Sequence, residues 1–350
     1  MGSNQPQPPK TMKAGQWDPK LRKVVVNEVP VPEPGENEFL VKMRSASLCH
    51  SDMLAIHQAE QTVTLGHEGV GHVVSMHPSA KGKGFQYGDA VGFLYIRGCC
   101  FTCPGCQVHN LHCETGKQLL QGFVVDGFFA EYALVDYHNA VVLDENKWNM
   151  DAASAVFCAG ITAFHSVDSC ELSPGDWFGV VGCGGLGQLA TQYAKAMGMR
   201  VVGIDVADAN LEETKKQGAD AVYNSMSNPN WAQDIKKLTG GGVQAVAVYT
   251  NAPPAFASAP SCLALGGTLM IIGVSKDPIK IDGMDLLLGR YKIKADSTST
   301  PQRMHKAVEF TAEHGIMPVV EIRDSLDDLA AMVDDMERGK VTKRQGIAFK

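Results

Sequence analysis

The chain contains 350 residues, of which 45% are hydrophobic and 20% are charged, and its formal net charge is -7. This length predicts two domains, the composition is typical of a globular protein, and the negative charge argues against nucleic acid as a partner. The sequence has no apolar run long enough to cross a bilayer, so no membrane partner is expected. Residues 1–10 resemble neither a signal peptide nor a transit peptide, and we expect a flexible tail there.

The cysteines predict bound metal rather than disulfides. The chain has ten cysteines, and no export signal is apparent, so we expect a cytoplasmic protein whose thiols stay reduced. Five of them lie in the short stretch from Cys99 to Cys113. Scattered cysteines such as Cys170 and Cys262 are expected to be small core residues.

The first part of the chain is predicted to form a β-rich domain. Residues 24–26, 39–43 and 69–76 have the β-branched and apolar content of strands, and proline and glycine mark the turns between them. The pattern continues over residues 127–142, which favours a mostly antiparallel, barrel-like arrangement. Residues 46–57 are predicted to form a short helix within this domain.

The pattern changes near residue 151. Residues 151–169 are predicted to be helical, and strands alternate with helices beyond them, which predicts a parallel sheet built from βαβ units. The predicted strands are 177–181, 200–204, 243–249 and 268–273, and the predicted helices are 186–197 and 210–218. The last fifty residues are predicted to contain, in order, a helix, a strand, a helix and a strand at 302–314, 317–322, 326–338 and 345–349.

A glycine-rich loop lies between a predicted strand and a predicted helix. It fits the pattern G-x-G-x-x-G, whose glycines permit a tight turn, a close backbone approach to a pyrophosphate, and packing of the helix on the strand. The free N–H groups of the helix N-terminus would face the phosphates. The alternative is a glycine-rich loop in an α/β protein that binds no nucleotide. The predicted cofactor-binding residues of this loop are Gly182, Gly184, Gly185, Leu186 and Gly187.

Asp205 indicates which dinucleotide is bound. It follows the predicted strand 200–204, where an acid hydrogen-bonds the adenosine ribose and its charge would repel a 2′-phosphate. Residues 206–210 contain no lysine or arginine that could accommodate this phosphate. The sequence therefore favours NAD over NADP.

A second stretch combines a thiol, a hydroxyl, a carboxylate and an imidazole. Cys49 and His67 offer the thiolate and the imidazole that zinc prefers, and Asp52 could orient the imidazole through its second ring nitrogen. Ser51 offers a hydroxyl that could pass a proton beside the metal. We interpret this stretch as the source of two ligands of a catalytic zinc. The alternative is a buried free cysteine and a hydrogen-bonded core histidine.

Four further cysteines are spaced to bind a second zinc. Two C-x2-C steps and a fourth cysteine can fold four thiolates around one tetrahedral ion, which leaves no position for substrate and makes the site structural. The alternatives are an iron–sulfur cluster and the replacement of one ligand by Cys99, His109 or His112. The predicted structural ligands are Cys100, Cys103, Cys106 and Cys113.

Taken together, these motifs resemble the zinc-dependent medium-chain alcohol dehydrogenases, most closely their yeast-type fungal branch. The resemblance covers nearly the whole chain after residue 10 and implies an α/β protein with two domains. A GroES-like, β-rich catalytic domain would comprise residues 11–158 and 300–350, with the structural zinc lobe at 99–113. A Rossmann domain with a doubly wound parallel sheet would comprise residues 159–299.

The resemblance also implies roles for single residues. Cys158 would be the third protein ligand of the catalytic zinc beside Cys49 and His67, a role that spacing does not suggest. Glu68 would be an acid behind the metal, and Asp52 would orient His67. The additional residues implied to contact the cofactor are His50, Val274 and Arg344.

The segment between the two zinc ligands departs from the family pattern. Ser51 occupies the position of the hydroxyl that starts a proton relay, but the histidine expected three residues later is Leu54. We therefore expect water or His57 to carry the proton to solvent. The segment is also shorter than in the yeast-type enzymes and lacks their pocket-narrowing tryptophan, which predicts a wider or differently walled pocket.

The expected activity is reversible hydride transfer between a primary or secondary alcohol and NAD, giving an aldehyde or ketone and NADH, with one catalytic and one structural zinc. One rival is a polyol dehydrogenase of the same superfamily, which Cys158 argues against because such enzymes often have a carboxylate there. The other is a non-catalytic NAD- or zinc-binding protein, which Ser51 and the intact ligand set argue against. We expect a homodimer or homotetramer that extends the parallel sheet through residues 268–273.

Overall fold

The computed structural model describes residues 7–275, 277–298 and 300–350. Residues 1–6 of the predicted tail lie outside these ranges. By its internal contacts the chain divides into two compact units. Within the described ranges, the first unit contains the residues through Cys158, 300–308 and Met317–Lys350, and the second contains Ala159–Thr298 and Glu309–Ile316. No helix in the described ranges is both long and apolar enough to cross a membrane.

The strands of the described chain are numbered in sequence order. They are β1 (Thr11–Asp18), β2 (Lys23–Pro30), β3 (Glu38–Leu48), β4 (Val63–Thr64), β5 (Glu68–Met76), β6 (Ala90–Phe93), β7 (Ile96–Arg97), β8 (Leu119–Leu120), β9 (Tyr132–Asp136), β10 (Ala140–Val142), β11 (Trp177–Val181), β12 (Arg200–Asp205), β13 (Ala221–Asn224), β14 (Val243–Val248), β15 (Leu263–Ile271), β16 (Tyr291–Ala295), β17 (Val320–Arg323) and β18 (Arg344–Ala348).

The helices are numbered in the same way. The α-helices are α1 (Asp52–Gln58), α2 (Pro104–Val108), α3 (Ala159–Asp168), α4 (Gly185–Ala196), α5 (Asp208–Lys216), α6 (Trp231–Thr239), α7 (Pro253–Ser258), α8 (Gly283–Leu287), α9 (Pro301–Glu313) and α10 (Leu329–Glu337). The short 3-10 helices are Pro78–Ala80, Asn110–His112, Tyr137–Asn139, Ala153–Phe157, Ala259–Cys262 and Leu326–Asp328.

The first unit is built around a sheet with the strand order β10-β6-β5-β3-β18-β17, in which β9 also pairs with β3. The pairs are antiparallel except β17 with β18. Because β3 is covered on both faces, its last four residues are all buried, and these include Ser45 and Ser47. Buried hydroxyls need internal hydrogen-bond partners, and those of β3 are described with the site below.

Two predicted helices had the wrong bounds, one in the first unit and one that begins there and continues past Cys158. β3 continues to Leu48 and α1 begins only at Asp52, so the three residues between them lie on a connection rather than within a helix. The predicted helix 151–169 is interrupted at Cys158, whose φ of -140° and ψ of -70° separate the 3-10 helix Ala153–Phe157 from α3. Composition did not reveal this break, because small and apolar residues suit either kind of helix.

The second unit contains a parallel sheet with the order β13-β12-β11-β14-β15-β16. Counted within the unit, this is the order 3-2-1-4-5-6 of the dinucleotide-binding fold. The strand order reverses between β11 and β14, and ligands of such sheets bind beyond the carboxyl ends of the strands at this reversal. The predicted parallel sheet of βαβ units is confirmed.

Two details of the second unit differ from the predictions. β15 contains residues 268–271 and lies between β14 and β16, so it has no free edge through which a second copy could extend the sheet. That prediction was wrong, and the outer strands described in this sheet are β13 and β16. Strand β16 was not predicted from the sequence, because its lysines interrupt the apolar pattern.

Residues 309–316 were predicted to belong to the first domain but lie in the second unit. The Phe310 ring packs on Phe164 and Tyr193, with centroid distances of 5.3 and 6.3 Å. Thr311 Oγ1 and the Tyr193 hydroxyl share a hydrogen bond of 2.7 Å. The end of α9 therefore belongs to the core of the second unit, which periodicity alone does not show.

Candidate metal centre and nucleotide-binding loop

Separate parts of the first unit bring Cys49, His67, Glu68 and Cys158 together. Cys49 follows β3, His67 and Glu68 lie at the start of β5, and Cys158 follows a 3-10 helix. One possible ligand atom from each of the four residues lies within 4.8 Å of the others. Two thiolates and an imidazole form the donor set of an open zinc site, so the residues present fit the predicted catalytic zinc.

Asp52 orients His67 within this cluster. The imidazole Nδ1 lies 2.7 Å from Asp52 Oδ1, and the Cys49 backbone N–H donates to Asp52 Oδ2 at 2.8 Å. Both side chains of the His67–Asp52 pair are almost fully buried. Burial lowers the pKa of His67, but the charge and the hydrogen bond of Asp52 outweigh it and hold that pKa above its ordinary value. An Nδ1–H that donates to Asp52 leaves Nε2 for the metal.

Replacing Asp52 with alanine should weaken zinc binding at this centre by about 10–100-fold, because the carboxylate orients one ligand and holds the backbone of another. Competition with a zinc chelator would measure the change. The control is Asp144→Ala, since among the described residues the Asp144 carboxylate accepts hydrogen bonds only from Asn146, in an exposed turn. Equal zinc affinities of the two variants would contradict the assigned role.

The carboxylate of Glu68 is fully buried, and its two oxygens differ in their surroundings. The Ser47 hydroxyl donates to Oε2 at 2.5 Å. Oε1 accepts no hydrogen bond from the described residues and lies 3.5 Å from Arg344 Nη1. Burial raises the pKa of Glu68 to about 8, although the charge of Arg344 acts in the opposite direction. A buried oxygen without a hydrogen bond is suited to a cation, which agrees with a metal at this centre.

Arg344 lies in the metal centre, a placement that the sequence did not indicate. Its guanidinium donates to the Leu48 carbonyl at 3.1 Å, and its side chain is only 10% exposed. A hydrogen bond with Cys158 and, less strongly, the charge of Arg344 lower the pKa of the Cys49 thiol against the effect of burial. Arg344 therefore offsets the negative charge of the thiolates and Glu68. Its contact with a cofactor pyrophosphate stays a prediction.

The predicted proton relay is only partly supported by the local geometry. Ser51 is half-buried, and its hydroxyl has no hydrogen-bond partner among the described side chains and backbone. His50 and His57 are exposed. Residues three or four apart share a helix face, so Leu54, rather than His57, lies on the face that follows Ser51. The roles of Ser51, His50 and His57 stay predictions.

Two aromatic rings lie beside His67 and were not predicted from the sequence. The rings of Tyr95 and Phe123 lie with their centroids 5.2 and 5.0 Å from the imidazole, and 5.6 Å from each other. Their apolar surface replaces water beside the ligand, which strengthens electrostatic interactions there. No motif marks either residue, because both reach His67 from distant connections.

The four predicted structural cysteines also come together, with their sulfur atoms within 4.8 Å of one another. Cys100 Sγ lies 4.0 Å from Cys106 Sγ and 3.7 Å from Cys113 Sγ. Backbone N–H groups of Cys100 and Glu114 donate to Cys113 Sγ and Cys103 Sγ, both at 3.4 Å. Four thiolates at these separations can form a closed tetrahedral zinc site.

The proposed replacement ligands do not join this cluster in the described structure. The Cys99 thiol donates to the Asn110 carbonyl at 3.5 Å, and burial raises its pKa to about 12. His109 Nδ1 accepts a hydrogen bond from the Leu111 N–H at 3.2 Å. None of Cys99, His109 and His112 belongs to the group of four sulfur atoms that lie within 4.8 Å of one another, although the Cys99 thiol also interacts with Cys113 and Cys106.

In the second unit, the glycine-rich loop connects β11 to α4. Gly182 has a φ of +90°, a left-handed value that favours glycine. A Cβ built on Gly187 would lie nearer than 3.0 Å to the Gly182 carbonyl oxygen, so the close packing of α4 on β11 requires glycine. Apart from its two chain neighbours, no described residue has an atom within 4 Å of a Cβ built on Gly184, which leaves the backbone open to a ligand. The loop thus has the shape that a pyrophosphate requires.

Asp205 ends β12 and accepts a hydrogen bond from the backbone of this loop. Its Oδ2 accepts a hydrogen bond from the Cys183 N–H at 2.6 Å, and its Oδ1 accepts from Val206 and Ala207 at 2.7 and 2.9 Å. Asn210 Nδ2 donates to Oδ2 over a longer distance of 3.4 Å. A carboxylate has about four acceptor sites, so a ribose hydroxyl would replace this longest contact. Val274 follows β15 and is 71% exposed; its predicted cofactor contact stays a prediction.

Replacing Asp205 with asparagine should reduce the preference for NAD over NADP by roughly tenfold, because a like-charge contact with the 2′-phosphate costs more than ~1 kcal/mol. Asparagine keeps one acceptor oxygen for the loop. The ratio of kcat/KM for the two cofactors measures the effect, and Asp234→Asn on α6 removes the same charge elsewhere. An unchanged ratio in Asp205→Asn would argue against the ribose contact.

Two family profiles match the sequence. One, described as an alcohol dehydrogenase GroES-like domain, matches residues 35–145, and the other, described as a zinc-binding dehydrogenase, matches residues 185–313. An alcohol dehydrogenase of Geobacillus stearothermophilus is 33% identical over 341 residues, which are 95% of this chain and 98% of that protein.

Solved structures share the fold. The alcohol dehydrogenase of the hyperthermophilic archaeon Aeropyrum pernix superposes with a TM-score of 0.84 at 25% identity, over 96% of this chain and 99% of that one. Acetophenone reductase from Geotrichum candidum, solved in complex with NAD, gives a TM-score of 0.83 at 22% identity, over 98% of each chain. At 22% identity, the similarity to acetophenone reductase shows a shared fold and nothing more. The predicted combination of a GroES-like and a Rossmann domain is confirmed.

Proposed function

Because the chain belongs to the alcohol dehydrogenase family, we propose that it catalyses the reversible, NAD-dependent oxidation of a primary or secondary alcohol to an aldehyde or ketone. The observation that carries the proposal is the assembly of Cys49, His67 and Cys158, with their ligand atoms within 4.8 Å of one another. Two cysteines and one histidine are the donor set of the catalytic zinc in alcohol dehydrogenase.

Different residues would bind the zinc and the cofactor. When bound, zinc polarises the alcohol or carbonyl oxygen and NAD accepts or returns the hydride. Cys49, His67 and Cys158 would hold the catalytic zinc and leave a position for substrate. Asp52 holds the His67 tautomer, and Arg344 offsets the negative charge around the thiolates. The structural zinc would be held by Cys100, Cys103, Cys106 and Cys113.

Ser51 is proposed to accept the proton of the substrate hydroxyl. It lies two residues after Cys49, and its own hydroxyl has no partner in the described part of the chain, so it is free to exchange a proton. With Leu54 on the helix face that follows, water is proposed to carry the proton onward. The exposed His57 would act only through that water.

The glycine-rich loop and Asp205 are proposed to bind NAD. The loop backbone and the N-terminus of α4 would bind the pyrophosphate, and the Asp205 carboxylate would bind the ribose. His50, Val274 and Arg344 are proposed as further cofactor contacts on the strength of the family resemblance. No lysine or arginine follows Asp205 directly, which supports NAD over NADP.

One observation bears on the polyol dehydrogenase alternative. Glu68 places a carboxylate in the ligand cluster, and polyol dehydrogenases often have a carboxylate among their zinc ligands. In this chain, however, the carboxylate stands beside Cys158 and does not replace it. An alcohol with a single hydroxyl therefore remains the favoured substrate.

Three finer assignments are also proposals. A yeast-type fungal affinity rests on the motif pattern alone, and the Geobacillus relative is bacterial. A homodimer or homotetramer is proposed from the family resemblance; its sheet contact would have to use an outer strand such as β16 instead of β15. A cytoplasmic location is proposed from the free cysteines.

The test combines metal analysis with an activity screen. We expect two zinc ions per chain and NADH formation when NAD is supplied with a panel of primary, secondary, aromatic and polyol alcohols. Removal of the metal should abolish this activity, and added zinc should restore it. Full activity in rigorously metal-free protein would contradict the proposal, and a strong preference for polyols would favour the alternative.

A further inference from the structure

The segment that ends at Cys158 is anchored to the central sheet of the first unit. The Ser45 hydroxyl of β3 donates to the Met150 carbonyl at 2.6 Å, and the Ser154 hydroxyl donates to Ser47 Oγ at 3.1 Å. Ser47 in turn donates to Glu68. The 3-10 helix Ala153–Phe157 also packs on β5, β3 and β6. The third zinc ligand is therefore held in place by this docked segment.

The last contact before Cys158 is an aromatic ring packed on a glycine. Phe157 is fully buried, and a Cβ built on Gly92 would lie nearer than 3.0 Å to its Cζ, Cε1 and Cε2 atoms, a separation that real Cβ atoms essentially never show. Gly92 lies in a regular part of β6, paired with Val70 and Val141, and its φ is not positive. The backbone therefore does not require glycine there, but the Phe157 ring does.

We propose that Gly92 is a positioning residue for the catalytic zinc, acting through the Phe157 ring on the thiol of Cys158. This inference rests on the proposed function, because it takes Cys158 as a zinc ligand. Zinc–sulfur bonds are about 2.3 Å long and tolerate deviations of only about 0.2 Å. A methyl group at Gly92 would displace the ring, and the neighbouring Cys158 would move with it, since no regular helix continues through its backbone.

Gly92→Ala tests the proposal through zinc release rather than activity alone. With a chelator in excess, one of the two zinc ions should leave about 10–100-fold faster than in the unaltered protein, while the four-thiolate zinc stays bound. Cobalt substitution should show weaker thiolate-to-cobalt absorption from the catalytic site. The control is Gly283→Ala, where the added methyl group would meet no described atom within 4 Å apart from its chain neighbours and the nearby backbone of its own helix. Unchanged release in Gly92→Ala would overturn the proposal.

A double variant separates positioning from general loss of stability. Leucine at residue 157 lacks the three ring atoms that oppose a methyl group on Gly92. Gly92→Ala should therefore speed zinc release when residue 157 is Phe, and slow it or leave it unchanged in the Phe157→Leu background. If Gly92→Ala alone does not fold, the double variant is compared with Phe157→Leu: equal zinc release supports the proposal, and faster release from the double variant overturns it. Equal acceleration in both backgrounds would overturn the positioning role.

The zinc content of the unaltered protein separates a failure of the proposed function from a failure of the positioning role. If it binds only the four-thiolate zinc, the proposed function fails. If it binds two zinc ions and Gly92→Ala releases both at the normal rates, only the positioning role of Gly92 fails.

Discussion

Replacing Cys158 with alanine is expected to lower turnover by about three orders of magnitude or more, because the metal supplies several kcal/mol of transition-state stabilisation. The catalytic zinc should be lost to a chelator, although Glu68 stays in the cluster as a carboxylate donor. NAD binding should persist, since the glycine-rich loop and Asp205 lie in the second unit. Steady-state kinetics, zinc analysis and a cofactor titration measure these three quantities.

Cys262→Ala provides the matched control for this prediction. Cys262 is buried, its thiol donates to the Ala259 carbonyl at 3.2 Å, and it belongs to neither thiol cluster of the described residues. This variant should keep both zinc ions and nearly full turnover. If Cys158→Ala were as active as Cys262→Ala and held as much zinc, Cys158 would not be a ligand.

Replacing Cys106 with alanine is expected to unfold the lobe at residues 99–113. This short stretch buries few apolar side chains, of which Phe101 is the largest. Structural zinc contributes about 10 kcal/mol or more to the folding of zinc-finger peptides, so the loss of stability should exceed the ~0.5–3 kcal/mol of an ordinary substitution. Amide hydrogen exchange in the lobe, the melting temperature and zinc content would show this.

Cys99→Ala tests whether the fifth thiol of the same lobe is dispensable. Because Cys99 donates to Asn110 instead of joining the four-thiolate cluster, its variant should keep both zinc ions and a nearly unchanged melting temperature. Loss of one zinc in Cys99→Ala, with retention in Cys106→Ala, would reverse the assignment of the structural ligands.

The features that the sequence predicted well depend on short-range geometry. The loop from Gly182 to Gly187 and the acid at Asp205 lie within one βαβ unit, where the chemistry requires a fixed spacing. The four cysteines of the lobe likewise lie close together in the sequence, so their spacing could predict one centre. The alternation of strands and helices was also sufficient to predict the parallel sheet. It did not show which core the end of α9 joins, because its apolar face fits either unit.

Only part of the catalytic cluster could be predicted from the sequence. Cys49 and His67 could be proposed from their residue types, but Cys158 followed from family resemblance and not from its spacing, because its local sequence resembles that of an ordinary buried cysteine. The ion pair of Arg344 with Glu68 and the rings of Tyr95 and Phe123 around His67 carried no signal at all.

The short-range motifs could therefore be predicted from the sequence: the glycine loop, the acid that follows it, the thiolate lobe, and the first two ligands of the catalytic centre. The thiol that completes that centre and the groups around it are specified by the folded chain. A metal needs its ligand atoms within a few ångströms of one another, and for distant segments this depends on packing. Here, that packing includes the Phe157 ring on Gly92 and the burial of Glu68 beside Arg344.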